Sequence, residues 1–483
     1  MYYNKFFLRY ENRDLRHSDL LGAGHGDRTG TPIILIVVLL LAGCRADYPI
    51  YLPDEIQPQV EKPEEPEDTT ATTDTTGTTE PGDTTSTPVD PGNKPIETPV
   101  HFPEIRIATD YSAEIKDKVN YVSGSITFID QDKIYSDVVT LTERMKIRGR
   151  GNSTWDQFPK KPYRIKMDES HKVFGMRSDK DWILLADYSD KTLLHNRFAM
   201  EISKVCEMPW TPEMRSVMVY LNNKCIGVYT LSEHKEVGKH KVDISENGVY
   251  LEIGEEMNEP VCFNTTMDIP IMFKDPENPS SEVQSRVKKQ FNDFERALKN
   301  PENRVYLNFI DVNTFVNYFI VQELVKNPDG NLRRSSYMTL DKDNKLRMYH
   351  VWDFDLAFGN CDFFGSLYGI DASPSGWFVK EFNRYGRNLG WYWALFKDPA
   401  FKAQVKARWQ SLYPALEELM EYPNEQAVFL ANAQITNFEC WPIMGAYVWP
   451  NAYVGGTYTS EIYHLWDFYY VRLRWMDSQI STW

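Results

Sequence analysis

The chain of 483 residues is short of cysteine, of long hydrophobic runs and of positive charge. Its six cysteines match neither the spacing of a zinc site nor that of a disulfide-dense scaffold. Five of them lie beyond residue 200, and this odd number leaves at least one thiol free even in an oxidising compartment. The five are Cys206, Cys225, Cys262, Cys361 and Cys440.

The formal net charge is −16, and much of it lies in one segment. Residues 53–90 contain eleven acidic residues and a single base, Lys62, so the rest of the chain is only mildly acidic. A protein that binds nucleic acid needs a basic face, and the composition does not supply one. We therefore expect no nucleic-acid partner.

The longest purely apolar run, residues 33–42, is too short to cross a bilayer as a helix and has the length of a signal-peptide core. It ends in Leu41-Ala42-Gly43-Cys44, which resembles the signal of bacterial lipoproteins. The resemblance implies that residues 1–43 are a signal peptide, that Cys44 is lipidated, and that the protein is anchored to a membrane of the cell envelope. The sequence does not distinguish an outer-membrane location from the cell surface, nor does it indicate the membrane leaflet. The alternative to a cleaved and lipidated signal is an uncleaved signal anchor.

Residues 44–103 form a second segment, dominated after Cys44 by proline, threonine, aspartate and glutamate. Because it has few apolar groups, it cannot offset the entropy lost on ordering, and its like charges repel one another. We therefore expect a disordered tether that carries the folded part, residues 104–483.

The folded part is too long for one ordinary core, which favours two lobes or domains. Residues 104–282 contain several β-branched, alternating segments separated by turn signals, whereas residues 283–483 contain long amphipathic patterns typical of helices. The sequence thus predicts an α+β fold with a β-rich N-terminal lobe and a mostly helical C-terminal lobe.

The segment Tyr349–Asn360 reads as a buried strand that ends in two carboxylates, Asp353 and Asp355, followed by a turn. On a strand the two side chains would share a face and repel each other, unless a hard cation such as Mg²⁺, Mn²⁺ or Ca²⁺ lay between them. The alternative is that one carboxylate caps the turn and the other is solvated. Asp329 lies 24 residues before Asp353, about one hairpin away, so both can reach one cleft.

A hairpin in the strand-rich half has an unusual density of positive charge around a glycine-containing turn. Cations and backbone N–H groups are what a triphosphate requires, and its transfer needs a metal ion and a positioned carboxylate. The basic residues of this hairpin are Arg148, Arg150, Lys160, Lys161, Arg164 and Lys166.

Over roughly residues 104–475 the sequence resembles the CotH kinase family, whose members have a divergent protein-kinase-like fold. The resemblance rests on separated blocks in the expected order: Arg148–Trp155 with Lys160–Lys166, Lys180–Leu185 with Asn196-Arg197, Gly227–Glu233, and Trp352–Asp355.

The resemblance also implies roles for individual residues. Asp329 would orient the acceptor hydroxyl, and Asp353, with Asp355 beside it, would bind the magnesium of ATP. Lys166 would hold the phosphates, with Glu201 as its ion-pair partner. The phosphates would be capped by Arg148, Arg150 and the backbone of Gly149, Gly151 and Asn152.

One position departs from the protein-kinase pattern. Five residues after the loop aspartate, where an asparagine would bind a second metal, this chain has Arg334. Asn331 or Ser335 could supply that ligand instead, or the site could hold one metal or none.

The leading hypothesis is a lipid-anchored kinase-like protein that transfers the γ-phosphoryl group of ATP, with Mg²⁺ or Mn²⁺, to Ser or Thr of an envelope or surface protein. ATP is scarce outside the cytoplasm, which favours two alternatives. One is a catalytically inactive scaffold that binds a glycan or a partner protein, and the other is a structural Ca²⁺ site at the carboxylates.

Overall fold

The structure, a computed structural model, describes residues 97–330, 332–361, 372–380, 383–384, 387–388 and 390–483. The predicted signal peptide, Cys44, the tether as far as residue 96 and the candidate ligand Asn331 lie outside these residues. None of the helices in the described part combines the length and the apolar character needed to cross a bilayer.

Seven strands close into a barrel in the order β1-β2-β3-β4-β5-β7-β6, and a parallel pairing of β1 with β6 completes the ring. The other neighbours in the ring are antiparallel. The strands are β1 (Glu104–Thr109), β2 (Val122–Ile129), β3 (Thr140–Gly149), β4 (Tyr163–His171), β5 (Asp179–Leu185), β6 (Met214–Leu221) and β7 (Lys224–Glu233).

A second sheet has the order β12-β11-β8-β10-β9, and a short hairpin pairs β13 with β14. The strands are β8 (Val249–Ile253), β9 (Cys262–Asn264), β10 (Pro270–Asp275), β11 (Ser336–Leu340), β12 (Leu346–Val351), β13 (Asn383–Arg384) and β14 (Arg387–Asn388).

Helices occur mainly in the C-terminal half of the described chain. The α-helices are α1 (Ser153–Gln157), α2 (His195–Val205), α3 (Ser281–Ala297), α4 (Val312–Leu324), α5 (Trp391–Leu395), α6 (Pro399–Glu418), α7 (Tyr422–Phe429), α8 (Ala431–Cys440) and α9 (Tyr458–Ile480). Short 3-10 turns lie at Asp110–Ser112, Pro301–Asn303, Val305–Asn308 and Leu419–Glu421.

The alternation of side chains along β5 shows how the barrel joins the rest of the molecule. Trp182 and Leu184 belong to the core inside the barrel, whereas Ile183 and Leu185 belong to a larger core shared with the second sheet and the helices. Because the second half of this strand is buried on both faces, all four of its residues from Trp182 to Leu185 are apolar, as in strands covered on both sides.

The predicted architecture of two protein-kinase-like lobes, β-rich before residue 283 and helical after it, is wrong. The N-terminal strands form a closed barrel, and β11 from the helical half pairs with β8 from the strand-rich half in one sheet. The mixed α+β character holds, with helices mainly C-terminal. The error arose because strand pairing between distant segments leaves no mark on the local pattern.

Candidate functional site

The two carboxylates of the Asp-Phe-Asp segment lie just beyond β12, which ends at Val351. The backbone of Asp353 is left-handed, with φ at 69°, so the segment is not a continued strand and its side chains do not alternate. A left-handed non-glycine residue costs about 1 kcal/mol or more and persists only where its surroundings hold it. The side-chain amide of Asn327 donates to the Asp353 carbonyl at 3.2 Å, and the Phe354 N–H donates to Asn196 Oδ1 at 2.9 Å.

Burial and mutual repulsion disfavour the charged forms of these carboxylates. Burial and the neighbouring Asp329 raise the pKa of Asp353, and burial together with Asp353 raises the pKa of Asp355 well above its usual range. Each accepts one hydroxyl, from Ser335 at 3.5 Å and from Ser189 at 3.2 Å. Buried carboxylates that repel one another are the ligand type that a hard divalent cation would stabilise.

Asp329 belongs to the same cluster, as the sequence spacing predicts. It lies in the loop after α4, where its N–H donates to Asn327 Oδ1 at 3.2 Å. Arg333 donates from Nη1 to its Oδ1 at 3.2 Å, so the carboxylate has a fixed direction. The loop therefore holds Asp329 close enough to Asp353 to raise the pKa of that residue.

Arg334, which stands where kinases have a metal-binding asparagine, forms an ion pair with Glu256. Its Nε lies 2.9 Å from Glu256 Oε1. Ser335, one of the two predicted substitutes, lies beside Asp353, whereas the other, Asn331, is outside the described residues.

A cleft of about 570 Å³ lies beside this cluster, between the end of the barrel and the second sheet. Its lining is strongly cationic, and carboxylates are fewer. The cationic side chains are Lys118, Arg148, Arg150, Arg164, Lys235 and Lys274, and the acidic ones are Glu236, Asp275 and Glu277.

The predicted phosphate cap, Arg148 to Asn152, contributes to this cleft. Arg148, Arg150, Gly151 and Asn152 line it, while Gly149 packs so closely on the Trp155 ring that an added Cβ would lie 2.3 Å from it. The Gly151 backbone has a φ of 81°, which glycine adopts without strain.

Arg150 connects the cleft to the carboxylates. Its guanidinium carbon lies 5.9 Å from the centre of the Trp352 ring, and Trp352 precedes Asp353. Burial lowers the pKa of Arg150, and the Asp353 carboxylate opposes that shift.

The structure does not bring Lys166 and Glu201 together. Lys166 projects from the outer face of β4 and is exposed, and it is not among the residues that line the cleft. Glu201, on α2, pairs instead with Lys204, whose Nζ lies 2.7 Å from its Oε1.

Lys235, for which the sequence suggested no role, is one of the cations that line the cleft. It follows β7 by two residues, contacts the Tyr337 hydroxyl, and lies 5.4 Å from the centre of the Trp352 ring. Burial lowers its pKa to about 8. The only available signal in the sequence was a lysine two residues after the Gly227–Glu233 block.

A buried polar pair supports the Asp-Phe-Asp segment from behind. Asn196 uses its Oδ1 to hold the Phe354 N–H and its Nδ2 to donate to Asp187 Oδ1 at 3.0 Å. Burial and the neighbouring Asp190 raise the pKa of Asp187 to about 6, although Lys160 opposes the shift. Asn196 lies in a block that carried the resemblance, but its role as a brace depends on a contact 158 residues away.

Another cluster, Asp181, His234 and Glu236, lies in the cleft wall with its ligand atoms within 4.8 Å of one another. Arg164 binds Asp181 with two hydrogen bonds, of 2.9 and 2.6 Å, and Lys241 lies 2.8 Å from Glu236. Its carboxylates therefore already have cationic partners, and we assign no metal to it.

The geometry defines an α+β protein in which a closed barrel adjoins a second sheet and helices, and in which two cations of a basic cleft, Arg150 and Lys235, lie close to clustered carboxylates. The chain belongs to the CotH kinase family, because the family model described as CotH kinase protein matches residues 147–476. This confirms the family predicted from the sequence and indicates a kinase-like protein. The match includes β3 from Ile147 onward, the Asp-Phe-Asp segment and most of α9. No curated protein matches the chain.

Proposed function

We propose that this protein transfers the γ-phosphoryl group of ATP to the hydroxyl of Ser or Thr in an envelope or surface protein. The observation that carries the proposal is the proximity of two charge types: Arg150 and Lys235, which line the cationic cleft, both lie near the Trp352 ring and act electrostatically on the Asp353 carboxylate. A metal-bound triphosphate matches both, because its phosphates carry negative charge for the cationic cleft and its divalent cation can bind the carboxylates.

The cleft residues would bind and orient the phosphates. Arg150 and Lys235 both lie near the Trp352 ring, and Lys274 adds a third cation to the cleft lining. In a partly dry cleft such cations stabilise the charge of the transferring group more strongly than they would in water.

Asp353 and Asp355 fit a bound magnesium or manganese ion, because both are buried oxygen donors whose pKa is raised by burial and by a neighbouring carboxylate, Asp329 beside Asp353 and Asp353 beside Asp355. Such an ion would neutralise charge on the phosphates during transfer. Asp329 would accept the proton of the acceptor hydroxyl while the hydroxyl oxygen forms a bond to the γ-phosphorus. At the same time the bond between the γ-phosphorus and the β,γ-bridging oxygen would break, and ADP would leave. Arg333 would keep the Asp329 carboxylate in place.

The decisive experiment measures ATP binding, melting temperature and phosphoryl transfer for the full chain and for Asp353→Asn and Asp329→Asn. We expect Asp353→Asn to lose metal-dependent ATP binding at unchanged or higher melting temperature, because one charge leaves a repulsive cluster. Asp329→Asn should retain ATP affinity and lose transfer by orders of magnitude.

Two other outcomes would overturn the proposal. If the wild type binds no nucleotide with any divalent ion and both variants lose stability, the cluster is structural and the protein is a scaffold for a glycan or a partner protein. If Ca²⁺ alone raises the melting temperature, and does so through Asp353, the cluster is a structural calcium site.

We further propose that the protein acts in the cell envelope, anchored to a membrane through the lipidated Cys44. The support is the sequence Leu41-Ala42-Gly43-Cys44 after the apolar run, together with the acidic tether that follows it. At that location the supply of ATP is the main constraint on the activity.

A further inference from the structure

The last turn of α8 lies along the first half of β7, a strand of the barrel. Asn437 Oδ1 accepts a hydrogen bond from the Val228 N–H at 3.1 Å, and Trp441 Nε1 donates to the Ile226 carbonyl at 2.9 Å. Gly227 is tightly enclosed here, because an added Cβ would lie 2.5 Å from Asn437 Oδ1. These contacts fix the end of α8 against one short stretch of strand.

Two cysteines meet in this contact. The Cys440 thiol, at the end of α8, donates to the Cys225 carbonyl with its sulfur 3.6 Å from that oxygen. The Cys225 thiol donates to the Met218 sulfur at 3.5 Å, and it is also close enough to the Cys440 thiol to share a hydrogen bond with it. Burial and a hydrogen bond shared with the Cys225 thiol raise the pKa of Cys440 to about 11. Both residues are half-buried, so a small reagent can reach them.

The other cysteines that the structure describes lie in different surroundings. Cys206 and Cys361 are buried. Cys262 is half-buried, like the pair, but its thiol donates to the carbonyls of Met257 at 3.4 Å and Glu259 at 3.3 Å. Cys262 is therefore the matched control, because its thiol is as accessible to a reagent as those of the pair but lies outside the β7–α8 contact.

We propose that Cys225 and Cys440 form a disulfide bond when the protein meets an oxidised dithiol carrier or a small disulfide such as oxidised glutathione. One cysteine thiolate attacks a sulfur of the reagent, forms a mixed disulfide and releases one reagent thiolate. The second cysteine thiolate then attacks the protein sulfur of the mixed disulfide and releases the other. The two cysteines are oxidised, the reagent disulfide is reduced to two thiols, and the two protons lost by the cysteines go to them.

The bond would tie the barrel to the C-terminal helices beside a buried lysine. Lys160 donates from Nζ to Asn437 Oδ1 at 2.9 Å and contacts the Val228 carbonyl, which are groups of the same β7–α8 contact. Because the cross-link joins residues far apart in the chain, it restricts the unfolded state and should raise the melting temperature. The inference concerns the β7–α8 contact and is independent of whether the cleft binds ATP.

The test compares the full chain after incubation with reduced and with oxidised glutathione, using peptide mapping without reductant and thermal melting. We expect a peptide linked through Cys225 and Cys440 in the oxidised wild type and in Cys262→Ser, with a higher melting temperature than in the reduced protein. The increase should be absent in Cys225→Ser and in Cys440→Ser.

Mapping of the wild type decides the question even if a variant fails to fold. Alkylation of both free thiols after oxidation would overturn the proposal, and so would stable glutathione adducts as the end product at either cysteine. A linked peptide that pairs Cys225 or Cys440 with any other cysteine would overturn it as well.

Discussion

The ammonium group of Lys235 lies 5.4 Å from the centre of the Trp352 ring, whereas Lys166 is exposed on the outer face of β4. Both are lysines at the barrel, and the family resemblance implied that Lys166, on a strand of the basic hairpin, would hold the phosphates. The difference between them is burial beside the carboxylates, which depends on where β7 ends.

We predict that Lys235→Met weakens ATP binding about ten- to a hundredfold, the loss expected for one charge-assisted hydrogen bond to a phosphate. Lys166→Met is the control and should bind ATP like the wild type. Calorimetric titration with ATP and Mg²⁺ measures both. Equal weakening by both variants, or weakening by Lys166→Met alone, would contradict the assignment of Lys235 and indicate that the phosphates bind at the outer face of β4.

Asp187 should make stability depend on pH. Burial and Asp190 raise its pKa in the folded state to about 6, above the usual value for aspartate, so the folded protein holds this proton more tightly than the unfolded chain does. A raised carboxyl pKa means that stability from this group is present at low pH and is lost as pH rises from about 4 to about 6.

We therefore expect Asp187→Asn to be more stable than the wild type at pH 7, by about 2 kcal/mol, and to match it near pH 4. Asparagine can still accept the hydrogen bond from Asn196 Nδ2. Urea denaturation at the two pH values measures the difference. If the wild type were the more stable of the two at pH 7, the ionised Asp187 would stabilise the fold through its attraction to Lys160.

Among the elements, α4 and α9 hold the segment Ala372–Lys380, which follows the carboxylates along the chain. Glu323 of α4 accepts the N–H groups of Phe378 at 2.5 Å and Val379 at 2.7 Å, and Arg472 of α9 donates to Glu323 Oε1 at 2.8 Å. Both charged side chains are fully buried, at 0% exposure, so the pair has no water to replace a lost partner.

Arg472→Met should lower the free energy of unfolding by about 4 kcal/mol, because it leaves the Glu323 charge buried without its cation. The double variant with Glu323→Gln should lose less than the sum of the two single changes, since the uncompensated charge is then gone. Denaturant titration of the four proteins measures the coupling. Additive losses would mean that the two side chains act separately.

Element by element, most helices and strands were predictable from the sequence. The helical pattern predicted from residue 283 onward begins with α3, Ser281–Ala297, and the strand pattern predicted before it includes β6 and β7. The predicted basic hairpin is formed by β3 and β4, and on β4 Ile165 and Met167 are buried while Lys166 is exposed. Where the strand interpretation failed, at Asp353, the left-handed backbone is imposed by Asn327 and Asn196, which are distant in the sequence.

For the whole molecule, the prediction concerns the anchor, which lies outside the described residues. Cys44→Ala should abolish lipidation and move the protein from the membrane to the soluble fraction, because a single short apolar run without a lipid is too short to span. Fractionation of cells that express each form measures this, with Cys262→Ser as a control that keeps the lipidated residue. Unchanged membrane partitioning of the alanine variant would favour the uncleaved signal anchor.

The sequence by itself determined the properties that reside in short segments: the family, the strands and helices, the basic hairpin, and the carboxylates Asp329, Asp353 and Asp355. Local backbone preference, side-chain periodicity and a short spacing between two loops suffice for these. Only the tertiary structure decided that the N-terminal strands close into a barrel, that Lys235 faces the carboxylates, and that Cys225 meets Cys440. Each of these depends on which distant segments pack together, and that choice is made by the burial of whole faces, which no single segment records.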